Sequence, residues 1–507
     1  MIAVILNREG FEYDIHSLVK AFFPQSEVKV FVEGAKSIVS DPGLPMLKIV
    51  RSSGMAKLLL YEWEERTDGV FAEGAEPEES VKGEWRQSVL EQVVLPPDTT
   101  KSGIRNALKQ LLYRTLSEYT GKKLPWGTLT GIRPTKIAMG LLEEGAPESE
   151  ILRYMKDSYY LSEEKGRLGI EIAKREKEIL SGIHYREGYS LYIGIPFCPT
   201  TCLYCSFTSY PICAWKDRVR EYLDALFLEI DDTAEIFQGR ILDSVYIGGG
   251  TPTTLCAEEL ERLLCKLKST FDFSHVKEFT VEAGRADSIT EDKLLVLKEY
   301  GVSRISVNPQ TMNQETLKLI GRQHTVEQVR DAFHLARRCG FTNINMDLIL
   351  GLPGENEDDV QATAKAVREL DPDSLTVHSL AIKKASKLSQ WIVENGVQTI
   401  HNTDGMMRIA AGAAAEMGMQ PYYLYRQKNM SGNFENVGYA REGCYGIYNI
   451  LIMEEKQTIA ALGAGSISKR VYPDGRIERC DNVKEVEQYI GRIGEMAGRK
   501  RKLFADL

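Results

Sequence analysis

Gly194-Ile195-Pro196-Phe197-Cys198-Pro199-Thr200-Thr201-Cys202-Leu203-Tyr204-Cys205 sets three cysteines at spacing C-x3-C-x2-C directly after a short apolar run, 190–195, that reads as a β-strand. Three thiolates from one tight loop can hold three irons of a four-iron cluster and leave the fourth without a protein ligand. An open coordination position is what catalysis at a metal needs. Two plainer readings compete: a zinc site that takes Cys213 as fourth ligand, and buried cysteines without any ligand, which a polar, proline-bearing loop would house badly. The wider cysteine pattern favours a cofactor. Of nine cysteines none precedes Cys198, and Cys256, Cys265, Cys339, Cys444 and Cys480 are scattered singly. An odd count without a regular framework speaks against structural disulfides.

Downstream of this loop, strand and helix patterns alternate. Strands are expected at 190–195, 244–247, 278–282, 304–307, 343–350 and 374–379. Between them run helices at 257–270, 290–300, 325–339 and 358–370, with Val219, Leu223, Leu226 and Ile230 as the apolar stripe of another. Thr290 reads as an N-cap, and Thr325 with Gln328 has capping-box spacing. Six such units predict a parallel α/β sheet, a partial (β/α)6 barrel rather than the closed eight-stranded form. It occupies residues 186–384. Residues 385–507 read as a mixed α/β C-terminal region, 121–185 as a helical connector that begins with the turn-rich stretch 124–136, and 1–120 as a separate small α+β domain with a helix at 104–119.

With 63 Lys and Arg against 72 Asp and Glu, the net charge is −9. That argues against general binding to nucleic acid or anionic membranes. The apolar start 1–6 is too short for a signal-peptide core, and no run approaches a membrane span. A soluble, cytoplasmic protein is expected.

Two further features gather at the strand ends. Tyr246-Ile-Gly-Gly-Gly-Thr-Pro-Thr253 closes the second strand. Three glycines let the backbone approach a ligand closely, although a plain βα turn would use them as well. It lacks the Lys-Ser/Thr of a phosphate loop and the dinucleotide G-x-G-x-x-G. Gly463-Ala-Gly465-Ser-Ile467 resembles a nucleotide loop superficially but has no βαβ unit around it. The polar residues Glu282, Asn308, Gln310, Asp347 and His378 stand at the ends of later strands. On a β/α barrel those ends share one mouth, so the five read as one pocket.

The cysteine loop, Gly248–Thr253, Val281-Glu282-Ala283, Ile305-Ser-Val-Asn-Pro-Gln310, Gly321-Arg322-Gln-His324 and Asp347-Leu-Ile-Leu-Gly351-Leu-Pro-Gly354 together resemble the radical S-adenosylmethionine enzymes of the oxygen-independent coproporphyrinogen III oxidase family, most nearly its coproporphyrinogen dehydrogenase branch. The resemblance runs through roughly 185–470 in consistent order. It implies a 4Fe–4S cluster on Cys198, Cys202 and Cys205, with S-adenosylmethionine chelating the open iron. Tyr192 and Tyr204 would pack near cluster and adenine. Gly249, Gly250 and Thr251 would receive the methionine portion. Glu282 would accept ribose hydroxyls and Arg322 would pair with a carboxylate. Gln310, Asp347, Ala381 and Ile467 would complete the lining, part of it for a second S-adenosylmethionine.

The activity so implied is oxidative decarboxylation of two propionates of coproporphyrinogen III to protoporphyrinogen IX through a 5′-deoxyadenosyl radical, with a flavodoxin or ferredoxin as electron donor. Lys383 and Lys384 could meet the carboxylates of the tetrapyrrole; solvated surface lysines are the plainer reading. Two rivals share the scaffold: a haem-binding transfer protein and a radical methyltransferase acting on a tetrapyrrole. Decarboxylases of the family resemble C-x3-C-x2-C-x-C, and this chain has Phe207 at the fourth position. Haem chaperones lack that cysteine too but typically carry His-Asn-x-x-Tyr-Trp, where this chain has Glu435-Asn436-Val-Gly-Tyr439-Ala440.

Overall fold

The computed structural model describes all residues except 34–39, 66–82, 97, 132, 384–385, 397–399, 401, 428–433 and 506–507; Lys384 thus lies outside the described residues. The chain packs as two compact units, Met1–Pro134 with Gly145–Arg167, and Thr135–Glu144 with Leu168–Leu507.

The first unit is an α+β sandwich. Strands β1 (Ile2–Leu6), β2 (Val28–Val32), β3 (Met46–Ser52), β4 (Met55–Glu65) and β5 (Gly83–Val94) form one sheet in the order β2-β1-β3-β4-β5. It is parallel about β1 and antiparallel from β3 onward. Alternate residues such as Leu47 and Ile49 face one side, where Ile15, Leu18 and Phe22 of the helix Glu12–Phe22 and Leu108, Leu112 and Leu116 of the helix Lys101–Thr120 close the core.

The second unit is built on one large sheet. Its strands are β6 (Tyr189–Ile195), β9 (Leu242–Gly249), β10 (Glu278–Glu282), β11 (Arg304–Ser306), β12 (Ile344–Leu350), β13 (Ser374–Ser379), β14 (Gln420–Tyr425), β15 (Asn436–Ala440), β16 (Thr458–Leu462), β17 (Ile467–Val471) and β18 (Ile477–Asp481). A two-stranded pair, β7 (Phe197–Cys198) and β8 (Tyr210–Pro211), lies in the cysteine loop. The order is β14-β15-β13-β12-β11-β10-β9-β6-β16-β17-β18. From β6 to β13 the strands run parallel in chain order, the six expected of the partial barrel. Ile193, Ile195, Val245, Ile247, Val281 and Ile305 are wholly buried, as strands covered on both faces require.

The C-terminal region does more than adjoin this sheet. It extends both edges: β15 and β14 add antiparallel beside β13, while β16 is a seventh parallel strand beside β6, followed by antiparallel β17 and β18. Five all-buried residues of β16 leave it no polar face to read as alternation.

The caps are specific. Thr325 and Gln328 form the expected capping box, each side chain bonding the other's backbone N–H at 3.1 and 2.8 Å. Thr290 holds the N-cap position of the helix Glu291–Glu299 but makes no side-chain cap; its hydroxyl bonds the Asp292 carboxylate instead. No helix among the described residues is long and apolar enough to cross a membrane.

Candidate active site at the cysteine loop

Parallel strands deliver their following loops to one edge, and the loop after β6 is tied there on every side. Gly250 and Thr251, after β9, donate their N–H groups to the carbonyls of Ile195 (2.8 Å) and Phe197 (2.7 Å). The Thr200 hydroxyl bonds Gly321 O at 2.9 Å. Leu203 N–H bonds Ile320 O, and Leu388 N–H bonds Leu203 O, both at 2.9 Å. Leu203 and Tyr204 also pack on an apolar cluster that includes Leu317, Ile320, Leu352 and Leu388. The triple glycine has a structural use here. A Cβ on Gly250 would fall 2.5 Å from the Phe197 carbonyl oxygen, so the third glycine is what lets the two loops meet.

All three cysteines are free, Cys202 buried and Cys198 and Cys205 partly so. Burial, aided by the mutual repulsion of the thiols, pushes Cys198 up to about 11 against the Thr251 hydroxyl 3.5 Å away. Burial raises Cys205 as well, opposed by donors at Phe207 N–H and Ser209. Two buried guanidiniums attend the group. Arg285 Nη1 lies 3.7 Å from Cys202 Sγ and 3.1 Å from Thr200 Oγ1, while Asp287 holds its other edge in a two-pronged pair at 3.0 and 2.8 Å. Arg322 approaches Cys202 and the Tyr204 hydroxyl and donates to the carbonyl of Asn308. Nothing in the sequence marks Arg285, a single arginine three residues past Glu282, as part of this group.

The expected pocket residues are held by different partners. Glu282 Oε1 accepts the Tyr246 hydroxyl, and Gly249 N–H also bonds the carboxylate. Tyr192 stacks in a three-ring pile with Tyr246 (6.2 Å) and Tyr448 (6.0 Å) beside it. Asp347 accepts Asn345 Nδ2 at 2.7 Å and lies 3.9 Å from His378 Nε2, whose Nδ1 is 3.2 Å from the Tyr425 hydroxyl. Burial would raise Asp347, but His378 and Asn345 outweigh it and hold its carboxyl low. Gln310 is buried with φ +67°, a left-handed backbone unusual outside glycine, locked by bonds of 2.9 Å to Asp347 O and from Ile349 N–H. Ala381 is partly buried past the end of β13. Ile467 is 47 % exposed at the start of β17.

Do these residues suit a cluster and its cofactor? Gln310 Oε1, Asn308 Oδ1 and Arg322 Nε are buried with no hydrogen-bond partner. Buried polar groups left unpaired are costly, and three of them in the loops that follow the strands suit a polar ligand. Among the described residues no group of three or more His, Cys, Asp or Glu side chains converges on a single ion, and Cys213 is exposed. Three thiolates spaced in this way can each ligate a different iron of one cluster.

Comparison with known proteins bears on the same region. The Radical SAM superfamily model matches residues 192–367. The chain is 40% identical over 420 residues, 81% of its length and 84% of the relative's, to the oxygen-independent coproporphyrinogen-III oxidase-like protein HemZ of Bacillus subtilis. It is 38% identical over 195 residues to the heme chaperone HemW of the same organism, which covers 38% of this chain and 51% of the chaperone. It is 36% identical over 192 residues to the oxygen-independent coproporphyrinogen III oxidase of Escherichia coli, 38% of this chain and 42% of that enzyme. Among solved structures, the coproporphyrinogen III oxidase HemN of Escherichia coli aligns with TM-score 0.49 and 25% identity, over 63% of this chain and 72% of that one.

Proposed function

Because the chain belongs to the radical S-adenosylmethionine family of oxygen-independent coproporphyrinogen III oxidase-like proteins, we propose that it decarboxylates two propionates of coproporphyrinogen III oxidatively to give protoporphyrinogen IX. A 4Fe–4S cluster and S-adenosylmethionine are the cofactors of this family. When bound and reduced, they supply a carbon radical strong enough to take hydrogen from an unactivated side chain. Each propionate gives up one hydrogen from the carbon attached to the ring, then carbon dioxide and one electron to an external acceptor, and becomes a vinyl group.

The chain's own work is to bind, orient and exclude water. Cys198, Cys202 and Cys205 hold the cluster, and the Arg285 and Arg322 guanidiniums offset the thiolate charge. Gly249, Gly250 and Thr251 offer backbone to the methionine end; Glu282 takes the ribose; Tyr192, Tyr204, Gln310, Asp347, Ala381 and Ile467 line the remainder. The stacked Tyr192, Tyr246 and Tyr448 adjoin Glu282, whose carboxylate accepts the Tyr246 hydroxyl. A flavodoxin or ferredoxin supplies electrons. The observation that carries this reading is the set of buried, partnerless polar atoms of Asn308, Gln310 and Arg322 in the loops after the strands, with Arg322 in the field of Cys202.

Haem transfer remains the second reading, favoured by Phe207 and by the chaperone relatives. Against it, Glu435, at the position of the chaperones' histidine, is a buried acid in the field of Arg426. Burial pulls Arg426 down to about 10 while Glu435 holds it up. An acid engaged with a guanidinium is a poor ligand for haem iron. Anaerobic incubation of the reconstituted, reduced protein with S-adenosylmethionine and coproporphyrinogen III separates the two. Protoporphyrinogen formation supports decarboxylation; an unchanged tetrapyrrole with stable, stoichiometric haem binding would replace it with transfer.

A further inference from the structure

Phe207 and Lys383 both bear on Cys205, one through its backbone and one through its charge. Phe207 is 73 % exposed, an unusual position for a phenyl ring, and its own N–H is directed at the Cys205 thiol. The next residue, Thr208, packs on the Gly463–Ser466 turn: a Cβ on Gly465 would meet Thr208 Oγ1 at 3.0 Å. Two residues beyond Gly465, Ile467 is also exposed, so this side of the barrel mouth presents apolar surface.

Lys383 comes from the loop after β13, which the Leu388–Leu203 hydrogen bond of 2.9 Å pins to the cysteine loop. Its ammonium is half-buried in the field of Cys205 and makes no hydrogen bond or ion pair among the described residues. A partly desolvated ammonium without a partner calls for an anion. An exposed aromatic face on the cysteine loop calls for a flat apolar body.

The geometry points to Phe207 and Lys383 as a substrate-recognition pair for a flat, carboxylated ring, the phenyl face taking the macrocycle and the ammonium one of its carboxylates. This rests on the tetrapyrrole reading above and deepens it. It gives the residue that stands in place of the decarboxylases' fourth cysteine a task of its own. It also separates Lys383 from the solvated surface lysine that its sequence context suggests.

The test is binding to the cluster-loaded protein, read by fluorescence quenching, with coproporphyrin III and its tetramethyl ester as probes. Iron content is measured for every variant. F207A should weaken both probes about tenfold, the scale of a lost aromatic face, and F207W should restore binding. K383Q should weaken the free acid several-fold and leave the ester unaffected. Wild-type binding that neither F207A nor K383Q changes would overturn the pair while leaving the tetrapyrrole reading intact. Failure of the wild type to bind either probe would overturn both. Loss of iron from F207W and K383Q, or weaker S-adenosylmethionine binding in K383Q with porphyrin binding intact, would assign these residues to the cofactors and overturn the proposal.

Discussion

Glu282 carries the sharpest local prediction. Burial and the nearby Asp347 charge raise its carboxyl to about 7, against the Tyr246 hydroxyl and Gly249 N–H that favour the ionised form. Below that pH the group holds a proton; above it both oxygens can accept from ribose hydroxyls. Affinity for S-adenosylmethionine should therefore tighten as pH rises through 7, by about tenfold between pH 6 and pH 8 for a single titrating group. E282Q should flatten that profile, and E282A should weaken binding throughout while the iron stays in place; isothermal titration of the cluster-loaded protein reads both. A wild-type profile that is flat from pH 6 to 8 would remove the carboxylate from the cofactor's path. For the cluster itself, C202A should lose both bound iron and cleavage of S-adenosylmethionine, checked by iron analysis and by product quantification. The thiol motif and the polar strand ends stand out in the sequence because a packed loop or strand end has no use for such residues. Arg285 does not, since a single arginine has no period or spacing to mark it, and its role depends on Asp287 and Thr200 folding around it.

At the scale of elements, the cysteine loop takes its shape from the loops around it. G250A places a methyl group against the Phe197 carbonyl. It should cost about 1–3 kcal/mol of stability and lower iron loading, measured by thermal unfolding and iron content. Normal loading in G250A would show that the cysteine loop holds its form without the glycine turn. The β/α alternation from β6 to β13 was legible because buried parallel strands and amphipathic helices have different periods. What stayed hidden was tertiary. The Thr290 hydroxyl preferred a carboxylate two residues away to the helix N–H groups, a choice that residue preference alone does not decide. Likewise, strands β14 to β18 show no sign in the sequence of which sheet edge they join, because pairing is decided by partners far along the chain.

For the second unit as a whole, the chain's last helix reaches back to the site. Lys500, on the helix Ile493–Leu503, is buried against Glu229, which also accepts Gly463 N–H at 2.8 Å, Asn482 Nδ2 at 2.7 Å and the Tyr489 hydroxyl. Gly463, with φ +96°, passes so close to Gly194 that a Cβ would fall 2.4 Å from its carbonyl oxygen. The network therefore fixes the turn after β16 against the strand that launches the cysteine loop. K500M leaves the Glu229 charge buried and uncompensated, and should destabilise this unit by about 3–5 kcal/mol, seen as a lower midpoint in denaturant. A midpoint unchanged by K500M would mean that Glu229 is satisfied without the lysine. The central claim, that this fold removes hydrogen from a propionate, is tested most directly with coproporphyrinogen III deuterated at the propionate carbons attached to the ring. After anaerobic turnover, mass spectrometry of 5′-deoxyadenosine should show deuterium, together with protoporphyrinogen. Undeuterated 5′-deoxyadenosine formed alongside intact substrate would contradict the account.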